Sequence, residues 1–255
     1  MTVRSTSRNG LRPGEVTLER ALSKLGLASR REARAWIASG RVSVDGAIEL
    51  DPLRAVVPER IRLEIDGVRK DAAEFRFLLL NKPRGYVTTR ADPEGRPTVF
   101  DLVADARTHL VAVGRLDFAT SGVLLLTNDT RLADLLTDPS NAVPRVYVAS
   151  VRGRWDEEKS LLVKEGVAQG DELLRAADVV ARKSSGKESH LVVTLASGKN
   201  REVRRLLAAV GHEVQRLKRV AFGGLELGSL PAGKWREVSL AELSAAFGDL
   251  VARAQ

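Results

Sequence analysis

The sequence predicts an α+β protein in which a small N-terminal domain precedes a larger domain built on a mixed, mainly antiparallel sheet with flanking helices. Its 255 residues exceed the usual size of one small domain. Two helical patterns and a few short alternating segments fill 15–75. Over 76–255, many short strand patterns are interrupted by occasional helices, which favours α+β over a regular βαβ repeat.

The N-terminal segment 1–14, MTVRSTSRNGLRPG, is basic and free of acidic residues. Its composition is similar to that of a transit peptide, but it lacks an amphipathic stripe, so we expect a mobile basic arm. We find no secretory apolar core and no apolar run of the roughly 18 to 20 residues that a membrane span needs. These observations favour a cytoplasmic protein that does not cross a membrane.

Composition narrows the possible functions. The chain contains no cysteine and three scattered histidines, which argues against disulfides, thiolate nucleophiles and a metal site. Hydrophobic residues make up 44% of the chain, which is ordinary for a soluble globular protein. The formal net charge of +8 predicts attraction to polyanions, and nucleic acid is the first candidate.

Two helices and a hairpin are predicted in the first domain. The segment TLERALSKLG places its apolar residues on one stripe and ends on glycine. The next segment, SRREARAWIASG, begins with a capping box between Ser29 and Glu32 and ends at Gly40. Asp45-Gly46 then lies between two alternating segments, which is typical of a hairpin turn.

Arginines crowd the start of the second helix. Arg30, Arg31 and Arg34 occupy its first turns, where the positive end of the helix dipole disfavours cations. Free backbone N–H groups and guanidinium groups together indicate a phosphate site, which Arg41 on the following strand would extend. The alternative is a solvated basic surface. Over about 45 residues, GLASRREA and GRVSVDG with their flanking helices resemble the S4 RNA-binding domain.

The larger domain is predicted to begin near residue 75, after the charged segment RIRLEIDGVRKDAAEF. Helices are expected at 130–137 and 201–210. Strands are expected in FLLLNKPRGYVTT, THLVAVGRLD, VLLLTND, RVYVASVRG and HLVVTLASG.

Asp117 stands out in VGRLDFATSGVLLLTND. The apolar run before it predicts a buried strand, and Asp117 lies where that strand gives way to a loop. Gly122 and the small residues around it leave room for a substrate to approach the backbone. A carboxylate at such a point can also be a simple turn or helix cap, and that alternative stays open on this segment alone.

A second group of cations follows in GKNREVRRLLAAVGHEVQRLKRVAFGGL, where Asn200 is the predicted helix cap. Three arginines occupy the start of this helix: Arg201, Arg204 and Arg205. Three more cations follow it and are expected to form a basic rim: Arg216, Lys218 and Arg219. Tyr147 in the strand RVYVASV offers a face that could stack on a base, or it is a half-buried strand tyrosine.

From about 15 to 245 the chain resembles the bacterial rRNA pseudouridine synthases that join an S4 domain to a catalytic domain. The resemblance lies in three long segments in the family's order, LLLNKPRGYVTTRADPEGRPTVFDLV, GRLDFATSGVLLLTND and GKNREVRRLLAAVGHEVQRLKRVAFGGL. A closing segment, GSLPAGKWREVSLAEL, is also similar.

The resemblance implies that Asp117 is the nucleophile, which attacks a flipped-out uridine whose uracil detaches, rotates and rejoins the ribose through C5. It implies no cofactor and no metal, and it leaves open attack at C1′, attack at C6 and a glycal route. Tyr147 would stack on the base and move a proton, and Arg204 would pair with Asp117. A guanidinium in that position orients a lone carboxylate and favours its charged form.

Other cations are candidates for RNA contacts. Arg115, two residues before Asp117, is expected to contact a phosphate or to form a structural ion pair. Lys82 and Arg84 in the NKPRG turn are expected at the pocket rim. Glu202 departs from the family's usual glutamine and is expected to weaken RNA contact near the helix start.

The segment DPEGRPTVFDL is similar to that of the large-subunit members of the family, which favours 23S rRNA as the substrate. We expect this RNA to be bound either free or in a ribosomal precursor particle, and we expect the enzyme to be a monomer. The alternatives are 16S rRNA or tRNA as substrate, or a non-catalytic RNA-binding or ribosome-assembly factor.

Overall fold

A computed structural model describes residues 11–106 and 109–254, so most of the expected basic arm lies outside the described residues. The chain divides into two compact units. The first comprises the described residues up to Arg76 together with 109–111 and Thr127–Arg131. The second comprises Phe77–Ala106, Ala112–Leu126 and the described residues from Leu132 onward.

The first unit is built from two helices, short strands and a 3₁₀ turn. In chain order these are β1 (Val16–Thr17), α1 (Leu18–Lys24), α2 (Arg30–Ala38), β2 (Val42–Val44), β3 (Ala47–Ile48), β4 (Ala55–Val56), a 3₁₀ turn (Pro58–Arg60), β5 (Leu63–Ile65) and β6 (Val68–Lys70). Strands β3, β2, β5 and β6 form an antiparallel sheet, and β1 pairs with β4. Apolar residues of both helices and of β2 and β5 form its core.

The local predictions for the first unit are confirmed. Ser29 Oγ accepts a hydrogen bond from the Glu32 N–H at 3.1 Å, and the Ser29 N–H donates to Glu32 Oε2 at 2.8 Å, which is the predicted capping box. Asp45 and Gly46 both have positive φ, 53° and 87°, which a two-residue hairpin of this kind requires. The turn joins β2 to β3 as expected.

The second unit is larger and sheet-based. In chain order it contains β7 (Phe77–Lys82), a 3₁₀ segment (Asp101–Ala106), β8 (Val111–Val113), β9 (Thr120–Thr127), α3 (Thr130–Thr137), a 3₁₀ turn (Pro139–Asn141), β10 (Arg145–Arg152), α4 (Glu157–Glu165), β11 (Val167–Gln169), β12 (Glu172–Leu174), β13 (Asp178–Ser184), β14 (Glu188–Leu195), α5 (Glu202–Ala209), β15 (Val214–Phe222), β16 (Leu225–Glu226), β17 (Trp235–Glu237), α6 (Leu240–Phe247) and α7 (Asp249–Ala254). Strands β8 and β9 and helix α3 carry residues of both units.

Its main sheet has the order β13-β14-β10-β15-β9-β7-β17, with β8 beside β9 and β16 beside β15. Strand β10 is antiparallel to both β14 and β15, whereas β15 and β9 run parallel. The predicted α+β class with a mixed, mainly antiparallel sheet is therefore confirmed. Among residues 11–106 and 109–254, no helix has both the length and the apolar character required to cross a membrane.

Two element boundaries differ from the prediction. The strand expected to run up to Asp117 ends at Val113, so Asp117 lies in a loop between β8 and β9. The helix expected at 201–210 spans Glu202–Ala209, and its N-cap is Arg201, at φ 50°, rather than Asn200. Helix α3 coincides with the predicted 130–137.

Candidate active site

Asp117 lines a cavity of about 120 Å³ in the second unit. The walls come from the ends of β10 and β15, the start of α5 and the loop after β8. Tyr147 of β10, Arg219 of β15 and Arg201 at the start of α5 all line it. Arg115, from the same loop as Asp117, lines it as well. The sequence reasoning thus named five residues that the fold brings to one cavity from segments far apart in the chain.

The loop that carries Asp117 is held by hydrogen bonds to its backbone. The Thr120 N–H donates to the Asp117 carbonyl at 3.0 Å, which closes a tight turn. Lys82 Nζ, from the end of β7, donates to the carbonyls of Asp117 at 3.1 Å and Thr120 at 2.9 Å. These bonds leave the Asp117 side chain, about a third of which is exposed, free to face the cavity.

Lys82 is fully buried, so the expected place at an RNA-contacting rim is wrong. Its ammonium group also donates to the Pro83 carbonyl at 3.1 Å and thereby joins the end of β7 to the Asp117 loop. Burial lowers the pKa of Lys82 to about 8, although nearby Asp117 opposes this effect. Lys82 is therefore a positioning residue in this fold.

The arginine that reaches Asp117 is Arg201. Its Nη1 lies 3.4 Å from Asp117 Oδ2, whereas Arg204 donates to the carbonyls of Val214 at 2.8 Å and Ala119 at 3.5 Å. The pairing expected for Arg204 is thus not the one in the structure, because those carbonyls hold its guanidinium. Arg204 still lies close to the carboxylate: burial and Arg201 lower its pKa, and Asp117 raises it.

A β-bulge aligns several side chains on the cavity face of the sheet. Tyr147 pairs with Arg219 and Val146 with Ala221, so β15 contains one extra residue between the two pairs. Arg219 and Phe222 consequently line the same cavity although they are three residues apart. Tyr147 is only 9% exposed and faces this cavity too, so the half-buried alternative and the stacking role are compatible.

Glu202 is buried at the start of α5 and lines the cavity, and its expected effect on RNA contact stays a prediction. Its carboxylate accepts hydrogen bonds from the hydroxyl of Ser197 and from the Lys199 N–H, the latter at 3.2 Å. Arg145, buried beside it, donates to the carbonyls of Val143 and Ser197. The two charged side chains fix the loop that precedes α5.

Arg216 and Lys218 alternate with Leu217 and Arg219 along β15. Because successive strand residues point to opposite faces and Leu217 and Arg219 line the cavity, Arg216 and Lys218 point away from it. Both are exposed, and Arg216 lies 2.9 Å from Glu188. The expected single basic rim is therefore wrong for these two cations.

The remaining predicted cations occupy different environments. Arg205 donates to Gln169 at 2.6 Å, and Arg84 and Arg115 are exposed, with Arg115 lining the cavity. Their RNA contacts stay predictions.

In the first unit, Arg30 and Arg31 are exposed at the start of α2. Arg34 instead donates to Glu19 on α1, with one bond at 3.0 Å, and Arg41 donates to Asp66 at 2.8 Å. Two of the four predicted phosphate ligands thus already have carboxylate partners.

Sequence reasoning missed a groove of about 470 Å³ that adjoins the cavity. The Asp117 loop and Arg201 line both the cavity and the groove. Phe118, Asp92 and Arg96 line the groove but not the cavity. The loop containing Asp92 and Arg96 gave no strand or helix signal, and a single phenylalanine after Asp117 was indistinguishable from a core residue.

Within the described part of the chain, no three His, Cys, Asp or Glu side chains form a cluster that could hold a metal ion.

Two protein-family models and several known proteins match the sequence of this chain. A family model described as RNA pseudouridylate synthase matches residues 76–209, and a model of the S4 domain matches residues 16–58. A protein of Aquifex aeolicus described as an uncharacterized RNA pseudouridine synthase is 38% identical over 234 residues, which cover 91% of this chain and 94% of that protein.

Ribosomal large subunit pseudouridine synthase B of Escherichia coli strain K12 is 42% identical over 232 residues, with 88% of this chain and 80% of that protein covered. Among solved structures, the crystal structure of a pseudouridylate synthase has a TM-score of 0.61 at 24% identity and covers 90% of this chain and 98% of its own. That likeness supports the fold.

Proposed function

The chain belongs to the RNA pseudouridylate synthase family and carries an S4 domain, and on that premise we propose that it isomerises a uridine of 23S ribosomal RNA to pseudouridine with Asp117 as the nucleophile. The observation that carries the proposal is the position of the Asp117 carboxylate, at a cavity and beside the Arg201 guanidinium. A fixed loop backbone holds that carboxylate where an extruded nucleotide can enter.

The reaction needs a nucleophile and a place for the detached base. Asp117 attacks the nucleotide at C1′ or C6, or a glycal forms. The bond between N1 and C1′ breaks, a bond between C5 and C1′ forms, and any bond made to the carboxylate breaks again, which regenerates Asp117. The C5 proton then leaves and N1 gains a proton, so no other reactant is needed. We assign the stacking surface and the proton transfer from C5 to Tyr147, whose ring faces the cavity.

Two buried polar groups of the cavity support base binding. Thr120 Oγ1 and Arg219 Nη2 have no hydrogen-bond partner among the described residues, and both residues line the cavity. A buried donor without a partner is costly and rare in a native fold. We propose that the carbonyl oxygens of uracil satisfy these groups when the base is bound.

Arg204 completes the proposed site. Its guanidinium lies near Asp117 and is held by the Ala119 and Val214 carbonyls, so it supplies a fixed positive charge behind the nucleophile. We propose that Arg201 orients the free carboxylate and that Arg204 supports it. The exposed Arg30, Arg31, Arg84 and Arg115 are proposed to contact RNA phosphates.

The choice of 23S rRNA rests on the relatives named as large-subunit enzymes and on the DPEGRPTVFDL segment. We propose that the protein acts in the cytoplasm as a monomer, on free rRNA or on a ribosomal precursor particle. The net charge of +8 favours association with either polyanion.

Release of tritium from RNA labelled at C5 of uridine tests the proposal. Wild-type protein should release label from 23S rRNA or its precursor particle, and from 16S rRNA or tRNA much less. Asp117→Asn should bind RNA and release none, whereas Asp171→Asn, a matched change at an exposed carboxylate of another turn, should behave as wild type. A wild-type protein that binds these RNAs and particles yet releases no label from any would overturn the proposal in favour of a non-catalytic RNA-binding factor.

A further inference from the structure

Phe118 is exposed next to the proposed nucleophile. Of the six phenylalanines in the chain, all of which lie in the described residues, it is the one left exposed, at 45%. Its backbone is nevertheless fixed, because the Gly85 N–H donates to the Phe118 carbonyl at 2.9 Å. An exposed aromatic ring on a loop whose backbone is held by a hydrogen bond contributes little to the core and offers a face on which a base can stack.

The ring lines the groove that adjoins the cavity. The stretch Gly114–Asp117 and Arg201 border both spaces, so the two are neighbours along the Asp117 loop. An RNA strand that places one base in the cavity must pass its next nucleotide through an adjoining space. Lys199 and Arg201 on the groove wall supply positive charge for the connecting phosphate.

An ion pair holds a cation beside the ring. Arg96 donates to Asp92 at 2.8 and 3.0 Å, and this bidentate contact lowers the pKa of the Asp92 carboxyl to about 2. The Arg96 guanidinium carbon lies 5.8 Å from the centre of the Phe118 ring. An aromatic face, a fixed guanidinium and a basic wall are the components with which proteins bind single nucleotides by stacking.

We propose that Phe118 is the stacking platform for the base of the nucleotide next to the target uridine, and that the groove around it is the subsite for that nucleotide. This inference rests on the proposed function. When the uridine leaves the RNA stack, its neighbour loses a stacking partner, and the Phe118 ring takes that place. Phe118 therefore acts on RNA binding and base extrusion rather than on the bonds that break and form.

The test uses a synthetic RNA stem-loop from 23S rRNA centred on the uridine at which the wild-type protein forms pseudouridine. Phe118→Ala should lower kcat/KM by about 5- to 150-fold, the range that one stacked base represents. Phe118→Trp should retain activity, and Phe118→Leu, which fills the space without a π face, should behave as Phe118→Ala. Leu161→Ala, a truncation at an exposed residue of α4, is the matched control and should leave the rate unchanged.

A second arm separates stacking from a structural role. Two further RNAs carry an abasic nucleotide in place of the neighbour on the 5′ or the 3′ side of the target uridine. One of them should lower the rate of the wild-type protein by the same factor as the Phe118→Leu substitution does on the intact RNA. That same RNA should not lower the rate of the Phe118→Leu protein any further, because the stacking contact is already lost. Two results would overturn this inference while leaving the proposed function intact. In the first, the wild type is active and the Phe118→Leu protein is equally fast on the intact RNA. In the second, the wild type is active and each abasic RNA lowers the rates of both proteins by the same factor. Absence of wild-type activity on every RNA would instead overturn the proposed function.

Discussion

Lys82 gives a prediction whose size follows from its burial. Substituting Lys82→Met keeps the length of the side chain and removes its charge. In the folded protein the pKa of Lys82 is lowered from 10.5 to about 8 because the ammonium group is buried. At about 1.4 kcal/mol per pH unit, this difference corresponds to about 3 kcal/mol between the charged and neutral forms.

The sign follows from proton linkage. Between pH 8 and 10.5 the unfolded chain keeps the Lys82 proton while the folded chain has lost it, so the stability of the wild type rises with pH. Below pH 8 both states are protonated, and the cost of burying the charge is present in full. The free energy of unfolding of the wild type should therefore gain about 3 kcal/mol relative to Lys82→Met as the pH rises through this window.

Urea unfolding of both proteins at about pH 7 and about pH 11, on either side of this window, measures the difference, and the comparison cancels the titration that the two proteins share. The same variant should bind RNA with the wild-type salt dependence, because a fully buried side chain makes no phosphate contact. Its kcat should fall, since the Asp117 loop loses two of its hydrogen bonds. Stability curves of the two proteins that stay parallel between these pH values would refute the reasoning.

Three further predictions concern the loop, the ion pair and the first unit. Gly122→Ala should abolish activity and lower the melting temperature, because the added Cβ would lie 2.0 Å from the Arg219 carbonyl oxygen of β15 and because Gly122 has a φ of 105°, which alanine rarely adopts. A melting temperature equal to that of the wild type would contradict this prediction. Arg201→Ala should lower kcat/KM by only about 1.4- to 5-fold, as for an exposed ion pair with Asp117, and a loss above 100-fold would show a larger role. Replacing Arg30 and Arg31 together by Ala should reduce the slope of log K against log salt by about 1.4 to 1.8 in filter-binding titrations, and an unchanged slope would exclude them as phosphate ligands.

Features set by neighbouring residues were predictable from the sequence. The capping box at Ser29 and the hairpin at Asp45-Gly46 depend on side chains and φ angles within four residues, and both are present. Helix α3 likewise follows from its own apolar stripe. The loop position of Asp117 followed from the apolar run before it and the small residues after it, which is also a local pattern, whereas its role as nucleophile followed from the family resemblance.

The environment of each cation was not predictable in the same way. NKPRG reads as a polar turn, yet its lysine is buried. Two backbone carbonyls from a distant loop, those of Asp117 and Thr120, converge on Lys82 together with the carbonyl of the adjacent Pro83. Likewise, spacing along a helix gives no means to distinguish Arg201 from Arg204 as the partner of Asp117. That choice depends on the carbonyls of Ala119 and Val214, which tertiary folding places within reach of Arg204.

The bulge in β15 shows why the composition of the cavity needed the three-dimensional fold. Strict alternation would place Phe222 on the opposite face from Arg219, but the extra residue between the pairs of Tyr147 and Val146 returns it to the same face. The Arg219 guanidinium then lies 5.0 Å from the Phe222 ring, and both line the cavity with Tyr147. Gly122 pairs with Arg219 on the other side, where its missing Cβ leaves room for the strand. One inserted residue and one glycine together therefore set which groups face the cavity.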